Sequence, residues 1–348
     1  MKISIYGQYY FPYITDLLKE EGHVVLLNEF SNDIDVCVLE NRFYMYEIYR
    51  KLKIIRKNNI KLINSVLDIP PWLIDKKHQL NTHIKYIKQV LYNSFHKHPF
   101  WYYYTEKFRF DPARNKYYNI FTSIFQNYFN RIQRNRVFFQ KNYRKFLKNS
   151  TLNLSLSKYT QFLVKKFLKL PTKVCYPCVN SDYLLNLPKK KIVYDAINIS
   201  RIETYKRQKI FIEAAKRLNL NIMVVGRHVN KKIKLFCPHY YFENQEKVFD
   251  ILNQSNIYVD PSEFEGFGMT PIEAAFLDKI TIASNTYVHR EVLGDYALYF
   301  ELNNVDNLVN KMETALGGGF KLKNESIKKK YSKEALKNRL LRLIEELF

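Results

Sequence analysis

The sequence predicts an α/β protein of two domains, each built on a parallel, doubly wound sheet with helices on both faces. Short apolar segments, typical of strands buried on both faces, alternate with helical segments in residues 1–75, and the same order returns after residue 150. The chain has 348 residues, more than the roughly 250–300 at which one hydrophobic core usually stops growing. Hydrophobic residues make up 47% of the chain, which excludes a disordered protein.

The first domain is expected over residues 1–180. Its strands are predicted at Ile3–Tyr6, Val24–Leu27, Asp35–Leu39, Leu62–Leu67, Leu152–Ser155 and Val174–Tyr176, and its helices at Tyr13–Glu21, Met45–Lys57 and Lys158–Leu168. The acidic pair Asp33 and Asp35 is interpreted as part of the loop before the third strand. Residues 181–191, with Pro188 and three lysines, are the expected linker to the second domain.

The second domain is expected over residues 192–330. Its strands are predicted at Ile192–Ile197, Asn221–Val225, Ile257–Val259, Thr281–Ala283 and Leu298–Phe300, and its helices at Gln208–Leu218, Gln245–Asn253, Pro271–Leu277 and Val305–Leu316. A last amphipathic helix is predicted at about Lys333–Phe348. We expect this terminal segment, residues 331–348, to pack back on the first domain.

Residues 76–150 form a basic and aromatic insert in the first domain. They hold 16 lysines and arginines against two acidic residues, Glu106 and Asp111, which gives +14 of the formal charge of +23. A surplus of this size predicts an anionic partner, although codon bias in an AT-rich genome would also enrich lysine. Three interpretations stay open: core-facing aromatics below solvated basic faces, a surface lying on an anionic membrane, and a groove for single-stranded nucleic acid.

Cysteine content indicates a reducing compartment, and hydropathy predicts no membrane-spanning segment. The four cysteines are too few for a disulfide framework in a chain of this length. Cys175 and Cys178 have the spacing of a redox or metal pair, but no second pair lies near them in sequence, and we interpret the spacing as incidental. No run of 18 apolar residues and no signal peptide is predicted. The expected location is the cytoplasm, with peripheral attachment to the inner face of the membrane left open.

The segment 260–275 has the pattern of a ligand site. It begins at the end of a buried strand, passes through Gly266 and Gly268, which let the backbone approach a ligand, and ends in a helix. The spacing predicts a capping box with Thr270 as N-cap, Pro271 as the first helical residue and Glu273 at the third. A helix N-terminus after a glycine turn favours phosphate, because its N–H groups and its dipole attract anions.

Two carboxylates and two cations are expected at the same edge of the sheet. Glu265 lies in the glycine turn and Glu273 in the first helical turn, so both can face one pocket, and a carboxylate can accept two hydrogen bonds from a vicinal diol. Arg201 and Lys206 follow the first strand of this domain and would balance phosphates beside the carboxylates. Gly226-Arg227 ends the next strand and would line the same crevice.

Glu265 and Glu273, with seven residues between them around Gly-Phe-Gly, resemble the signature of family-4 retaining glycosyltransferases. Further segments with the family's pattern occur in order at Leu156–Thr160, Tyr176–Asn180, Ser200–Arg201 with Lys206, Glu213–Ala214, Val224–Gly226, Asp260–Ser262, Ile282–Asn285 and Glu291–Asp295. The resemblance covers residues 152–300 closely and residues 1–72 loosely. It implies the GT-B fold, in which two Rossmann-like domains face across a cleft, with the nucleotide-sugar donor in the C-terminal domain and the acceptor in the N-terminal one.

The resemblance also implies roles for single residues. Glu273 would bind the ribose hydroxyls, and Glu265 would hold the donor sugar near its anomeric carbon. Arg201 and Lys206 would stabilise the departing nucleoside diphosphate. The remaining implied donor-binding residues are Gly7, Gly226, Arg227, Gly266, Phe267, Gly268, Met269 and Thr270. No metal or other cofactor is expected, because side chains neutralise the leaving group, and the new bond would form with retention of configuration.

The N-terminal half departs from the family's pattern. Only Gly7 follows the first strand, where many relatives have paired glycines, and Asp68 resembles an acceptor-side acid without the histidine that other relatives have near it. The expected function is transfer of a sugar from a nucleotide-sugar to an acceptor hydroxyl, with a lipid-linked or membrane glycan as the leading acceptor class. The alternatives are a soluble transferase acting on protein, polysaccharide or modified nucleic acid, and a nucleic-acid-binding protein on an inactive transferase fold.

Overall fold

The computed structural model describes residues 1–7, 10–40, 45–66, 144, 147–228 and 233–348, and of residues 45–50 only the backbone. The chain divides into two compact units. The larger comprises Met1–Asp68, Ser150–Phe162 and Pro171–Phe348 and contains both sheets, and the smaller comprises Ile69–Asn149 and Leu163–Leu170. Most of the basic insert, including its aromatic runs, and Asp68 lie outside the described residues, so the interpretations made for them stay predictions.

Among the residues that the structure describes, the first sheet has six parallel strands. They are β1 Lys2–Tyr6, β2 Val24–Leu27, β3 Val36–Leu39, β4 Lys61–Val66, β5 Leu152–Ser155 and β6 Lys173–Val174, in the order β2-β1-β3-β4-β5-β6. Every residue of β3 is buried, which is why this strand is continuously apolar. The strand order reverses between β1 and β3, and the carboxyl ends of these two strands meet at one edge.

In the described part of the first half, the α-helices are α1 Thr15–Glu20, α2 Met45–Lys57, α3 Lys158–Leu163 and α4 Ser181–Asn186, and a π-helical turn at Val164–Leu168 follows α3. A 3-10 turn at Phe11–Ile14, with a proline in its first turn, precedes α1 and occupies part of the predicted first helix. The helix α4 occupies the first half of the segment predicted as a linker.

The second sheet also has six parallel strands. They are β7 Tyr194–Ile199, β8 Ile222–Val225, β9 His239–Tyr240, β10 Ser255–Asp260, β11 Ile280–Ser284 and β12 Leu298–Phe300, in the order β12-β11-β10-β7-β8-β9. The order reverses between β7 and β10, which pair through Ala196 with Ile257 and Ile197 with Tyr258. The edge strand β9 is only two residues long and was not predicted.

The helices of the second half are α5 Gln208–Arg217, α6 Gln245–Asn253, α7 Met269–Phe276, α8 Tyr287–Leu293, α9 Val305–Leu316, α10 Glu325–Lys330 and α11 Lys333–Glu345. The apolar face of α11, Leu336, Leu340 and Ile344, is fully buried. Lys337 of the same helix forms an ion pair of 2.6 Å with Glu21 at the end of α1, so the terminal helix contacts the first half of the chain.

The predicted fold class is confirmed: two parallel, doubly wound sheets with helices account for the described chain. Cys175 and Cys178 are buried free thiols, and burial raises the pKa of the Cys175 thiol to about 12, well above the range of a reactive cysteine. Asp33 lies in a loop and pairs with Lys2 at 2.8 Å. Within the described ranges, no helix is both long and apolar enough to cross a membrane.

Candidate active site

The turn between β10 and α7, residues 261–268, lies where the strand order of the second sheet reverses. In open α/β sheets the crevice outside the carboxyl ends of such strands is the usual ligand site. Gly268 precedes α7 with φ of 87°, a left-handed conformation that favours glycine. We call residues 261–268 the glycine turn.

The predicted capping box is wrong. The helix α7 begins at Met269, so Thr270 and Pro271 are its second and third residues and Glu273 its fifth, and no side chain caps it. The left-handed Gly268 is the physical reason, because it lets the helix begin two residues before Pro271. A proline is tolerated there, since the first four N–H groups of a helix have no partner within it.

Lys206 and Glu265 form an ion pair at this edge. The ammonium of Lys206 contacts Oε1 of Glu265, and only 10% and 14% of the two side chains are exposed. Lys206 ends a 3-10 turn, Thr204–Lys206, that follows β7, and Glu265 comes from the glycine turn after β10. A nearly buried pair is costly to break without a replacement partner, because the group left behind is an unpaired charge. The site therefore favours a ligand that supplies partners to both groups.

Arg201 does not join this pair. Its guanidinium donates to the hydroxyl of Tyr205 at 2.7 Å and lies 3.7 Å from Glu203, and 59% of its side chain is exposed. Arg207 bonds Glu263 at 2.5 Å. Of the two predicted cations, one is thus paired in the interior of the site and the other lies on its exposed rim.

Glu273 is buried, with 7% of the residue exposed. Burial raises the pKa of its carboxyl to about 7, and a hydrogen bond with Gln245 opposes part of that rise. The hydroxyl of Tyr13, in the 3-10 turn before α1, donates to Oε1 of Gln245 at 3.0 Å. A chain of polar contacts therefore runs from the first half of the protein, through Gln245, to a buried carboxyl group with a raised pKa.

Asp260, the last residue of β10, and His289, in the first turn of α8, are both buried. Asp260 accepts hydrogen bonds from the N–H of Ser262 at 3.1 Å and from its hydroxyl, and Nε2 of His289 lies 3.7 Å from its other oxygen. Burial alone would raise the pKa of Asp260, but His289 and Ser262 hold it well below its usual range. Burial lowers the pKa of His289, and the Asp260 carboxylate more than offsets this. The charged form of the pair is favoured beside the glycine turn.

Gly226 ends β8 next to the same crevice. A Cβ at this position would lie 1.8 Å from the carbonyl oxygen of Ser200, so only glycine fits. The N–H of Gly226 donates to the carbonyl of Tyr240 at 2.8 Å, and the carbonyl of Arg227 accepts from Ile202 at 2.9 Å. The segments after β7 and β8 are therefore held against each other.

Of the other residues predicted to bind the donor, Phe267 and Thr270 have side chains that contact other parts of the protein. Phe267 is buried, with its ring centroid 5.4 Å from that of Tyr331, and the hydroxyl of Thr270 hydrogen-bonds Tyr258. The N–H groups of Met269 and Thr270 belong to the first turn of α7 and have no partner within the helix. This end of the helix can therefore donate hydrogen bonds to an anion.

Gly7 lies at the edge of the first sheet, after β1. A Cβ on Gly7 would lie 2.6 Å from Oε2 of Glu40, a fully buried acid that follows β3. Oε1 of Glu40 accepts from the N–H groups of Tyr10 at 2.5 Å and Phe11 at 2.9 Å. Sequence reasoning missed Glu40; the signal available was an acidic residue directly after a continuously apolar strand.

The structure therefore brings together only part of the predicted set. Lys206, Glu265, Glu273 and the glycine turn with the start of α7 share one edge, Arg201 lies on its rim, and Asp68 lies outside the described residues. Gln245, Asp260 and His289 share this edge but had no predicted role, and Tyr13 reaches Gln245 from the first half of the chain. The Tyr13–Gln245 and Asp260–His289 contacts join segments remote in sequence, so no local pattern predicts them. Within the described residues there is no group of three or more potential metal ligands.

Comparison with known protein sequences gives two findings. Residues 185–335 match the family model of glycosyl transferases group 1. No curated protein sequence matches the chain.

Solved structures of similar fold align over nearly the whole chain. A glycosyltransferase from Rickettsia africae ESF-5 has a TM-score of 0.61 at 16% identity and covers 99% of this chain and 98% of its own. Sucrose-phosphate synthase from Thermosynechococcus elongatus has a TM-score of 0.60 at 12% identity, covering 100% and 99%. Anabaena Alr3699/HepE, in complex with UDP and glucose, has a TM-score of 0.61 at 11% identity, covering 99% and 100%.

Likeness at these identities concerns the fold, and the family match concerns the second half of the chain, where the Lys206–Glu265 pair, Glu273 and the glycine turn lie. Together with the two six-stranded sheets of the described chain, these findings show the GT-B fold of two Rossmann-like domains. Residues 185–335 are similar to the group 1 glycosyl transferases, and this match supports glycosyltransferase activity.

Proposed function

We propose that this protein is a retaining glycosyltransferase that moves a sugar, of hexose type, from a nucleotide-sugar to an acceptor hydroxyl. The observation that carries the proposal is the nearly buried Lys206–Glu265 pair, which lies beside the glycine turn where the strand order reverses. The family match over residues 185–335 supports it, as does the UDP and glucose complex of a protein with the same fold.

The leaving group is the first chemical requirement. When the bond between the anomeric carbon and the diphosphate oxygen breaks, the electron pair goes to the nucleoside diphosphate, whose negative charge grows in the transition state. Lys206 would exchange the Glu265 carboxylate for the diphosphate, and N–H groups at the start of α7 would donate to it. Arg201 would turn from Tyr205 to add a second cation, which its exposed position permits. With these groups neutralising the leaving group, the proposed reaction uses no metal.

Glu265 would then accept hydrogen bonds from the donor sugar near its anomeric carbon. The acceptor oxygen would bond to that carbon on the face that the diphosphate leaves, and its proton would pass to a departing phosphate oxygen. This keeps the configuration and needs no protein base. We assign Glu265 no covalent bond to the sugar.

Glu273 would accept hydrogen bonds from the ribose diol in its ionised form. Gly226, Arg227 and Gly7 would contribute further donor contacts from the ends of β8 and β1, together with the backbone of Gly266 and of residues 267–270. On the acceptor side we propose Asp68. Each assignment is tested by substituting the residue and measuring the transfer rate while the donor and acceptor concentrations are varied separately.

For the acceptor we propose a lipid-linked or membrane glycan. The support is the charge of +14 over residues 76–150, which would attract an anionic membrane from the cytoplasmic side. The alternatives are a soluble acceptor and a nucleic acid. Sedimentation with vesicles of phosphatidylserine and phosphatidylcholine, but not with phosphatidylcholine alone, would support the membrane; salt-dependent DNA binding with a steep slope would support nucleic acid.

The test of the proposed function is a thermal-shift screen of nucleotide-sugars followed by a donor hydrolysis assay. A ligand that binds only the folded state raises the melting temperature by mass action. We expect one donor to raise it and to be hydrolysed, and Glu265→Gln to lower the hydrolysis rate. Absence of a shift with every nucleotide-sugar and nucleoside diphosphate would overturn the proposal.

A further inference from the structure

The carbonyl of Gly266, in the glycine turn, is anchored by two hydroxyl groups from the first half of the chain. It accepts from Oγ of Ser157 at 2.8 Å and from Oγ1 of Thr160 at 3.0 Å. Both side chains are buried, with 0% and 1% of each residue exposed. More than one hundred residues separate these donors from the carbonyl, so the contact is created by the tertiary fold.

The two donors are themselves held in one arrangement. Oγ of Ser157 accepts from the N–H of Thr160 at 2.9 Å, the geometry of a residue that caps a helix N-terminus, here that of α3. The single Ser157 hydroxyl proton has two acceptors in reach, Gly266 O at 2.8 Å and Oγ1 of Thr160 at 3.0 Å. Assigned to the shorter contact, it leaves the Thr160 hydroxyl proton to make the second bond to Gly266. Two donors on one carbonyl restrict rotation of its peptide plane more than a single bond would.

A carboxylate from the second half holds α3 in turn. Glu291, in α8, accepts from the N–H groups of Lys158 at 2.6 Å and Tyr159 at 3.0 Å, and from the hydroxyl of Tyr176 at 3.0 Å. An anion at a helix N-terminus is stabilised by the free N–H groups and the dipole. The start of α3 is therefore bound to the second half at two places, through Glu291 and through Gly266.

The orientation of the Gly266 carbonyl decides the direction of the next N–H. In a trans peptide the C=O and N–H groups point in opposite directions. With the carbonyl directed to Ser157 and Thr160, the N–H of Phe267 is directed away from α3. The two hydroxyl groups, which we call the Gly266 anchor, thus fix the direction of the Phe267 N–H in the turn that carries Glu265.

We propose that Ser157 and Thr160 are positioning residues for the glycosyl transfer, and that Glu291 holds them in place by binding the start of α3. This inference rests on the proposed function. By fixing the peptide plane of Gly266 and Phe267, the three side chains keep Glu265 and the turn's amide donors in the arrangement that the donor sugar and diphosphate require.

The test compares the double variant Ser157→Ala/Thr160→Val with wild type and with Thr281→Val. Thr281 is a matched control, because it is equally buried and its hydroxyl bonds Tyr296 at 3.0 Å, in the same half as the glycine turn. In the double variant we expect amide hydrogen exchange of residues 266–269 to accelerate at least about tenfold, while exchange in β1 and β8 stays as in wild type. Thr281→Val should leave the exchange of the turn unchanged.

The kinetic measurement uses hydrolysis of UDP-glucose, or of the donor selected by the thermal-shift screen. We expect kcat to fall about 10- to 100-fold with KM and the Kd of UDP within about threefold of wild type, because binding of the nucleotide depends less on this peptide plane than the reacting geometry does. Thr160→Ser alone, which keeps the hydroxyl, should retain wild-type kcat. A double variant with unchanged exchange of residues 266–269, or with unchanged kcat, would overturn the positioning role.

These two readouts separate this inference from the proposed function. Faster exchange confined to the turn supports the anchor whether or not a donor has been found. Wild-type protein that binds and hydrolyses no nucleotide-sugar would overturn the proposed function and, with it, the catalytic purpose of the anchor, while the exchange result would still decide whether Ser157 and Thr160 hold the turn.

Discussion

The two halves of the protein place a carboxylate at the same point of the fold and use it differently. In each sheet the strand order reverses, a 3-10 turn follows the first strand, and a carboxylate from the segment after the adjacent strand reaches that turn. In the first half Glu40 accepts from the backbone N–H groups of Tyr10 and Phe11. In the second half Glu265 contacts the ammonium of Lys206.

The difference lies in what the carboxylate binds. Backbone amides cannot leave without unfolding the turn, so Glu40 is committed to structure, and Gly7 is required partly because a Cβ would meet it. The Lys206 ammonium lies at the end of a flexible aliphatic chain and can exchange one anionic partner for another. The comparison indicates that the second edge is suited to chemistry on anionic ligands, whereas the first edge uses its buried acid to build the fold.

The largest expected effect is on Lys206. If this cation stabilises the leaving group, Lys206→Ala should lower kcat for donor hydrolysis about 10²–10³-fold, the loss found when one preorganised transition-state contact is removed. The control is Lys209→Ala, because Lys209 is an exposed lysine in the first turn of α5. A kcat of the Lys206 variant within about threefold of wild type would contradict a role of Lys206 in stabilising the leaving group.

The next effect is on Glu40, and here we expect a loss of stability. Glu40→Ala leaves two buried N–H groups, of Tyr10 and Phe11, without their acceptor, at about 1–3 kcal/mol for each unsatisfied group. Urea denaturation should show a fall of about 2–6 kcal/mol in the free energy of unfolding. Glu20→Ala is the control, because Glu20 is an exposed acid at the end of α1. If the Glu40 variant keeps its stability and loses donor binding instead, the first edge also serves the ligand.

A pH titration of nucleotide affinity tests whether the ionised carboxylate of Glu273 binds the ligand. Its carboxyl has a pKa raised to about 7, and only the ionised form accepts two hydrogen bonds from a diol. Affinity for the nucleotide should therefore fall as the pH drops below 7, approaching about tenfold per pH unit. Glu273→Gln should bind weakly and lose this dependence. Calorimetry with UDP at pH 6 and pH 8 gives the ratio, and equal affinities at both pH values in wild type would contradict the assignment.

The same raised pKa makes the stability of the folded protein fall with rising pH, whereas the affinity for the nucleotide rises. A carboxyl whose pKa is higher in the folded state binds protons more tightly there than in the unfolded chain. Its contribution is therefore most favourable below the unfolded value of about 4.5 and is lost as the pH rises to about 7. Glu273→Gln should gain stability relative to wild type over this interval, measured by thermal unfolding at pH 5 and pH 8.

The smallest expected effect concerns His289. Its pKa is raised by the Asp260 carboxylate, so the stabilisation by this pair is fully present below the unfolded pKa of about 6.5 and is lost as the pH rises through the folded value. The stability advantage of wild type over His289→Gln should therefore shrink above pH 6.5 in urea denaturation. An advantage that grows with pH would mean that the imidazole is neutral beside Asp260.

Several elements could be read from local pattern, and one error is informative. Helices α6 and α9 begin and end where predicted, because Asn244 and Asn304 cap their N-termini through side-chain oxygens. The start of α7 was misplaced, although Thr270, Pro271 and Glu273 fit a capping box, because the left-handed Gly268 begins the helix earlier. A backbone conformation available to glycine outweighed three residues with good local preferences.

Local patterns along the chain predict the two parallel sheets, their helices and the edge on which Glu265, Glu273 and Lys206 meet, since hydrophobic periodicity and turn residues act over short distances. The partners of these groups follow from the tertiary fold: Lys206 rather than Arg201 beside Glu265, Gln245 beside Glu273, and Ser157 and Thr160 on the Gly266 carbonyl. Such choices depend on distances through space between segments remote in sequence, and burial then fixes the cost of changing them.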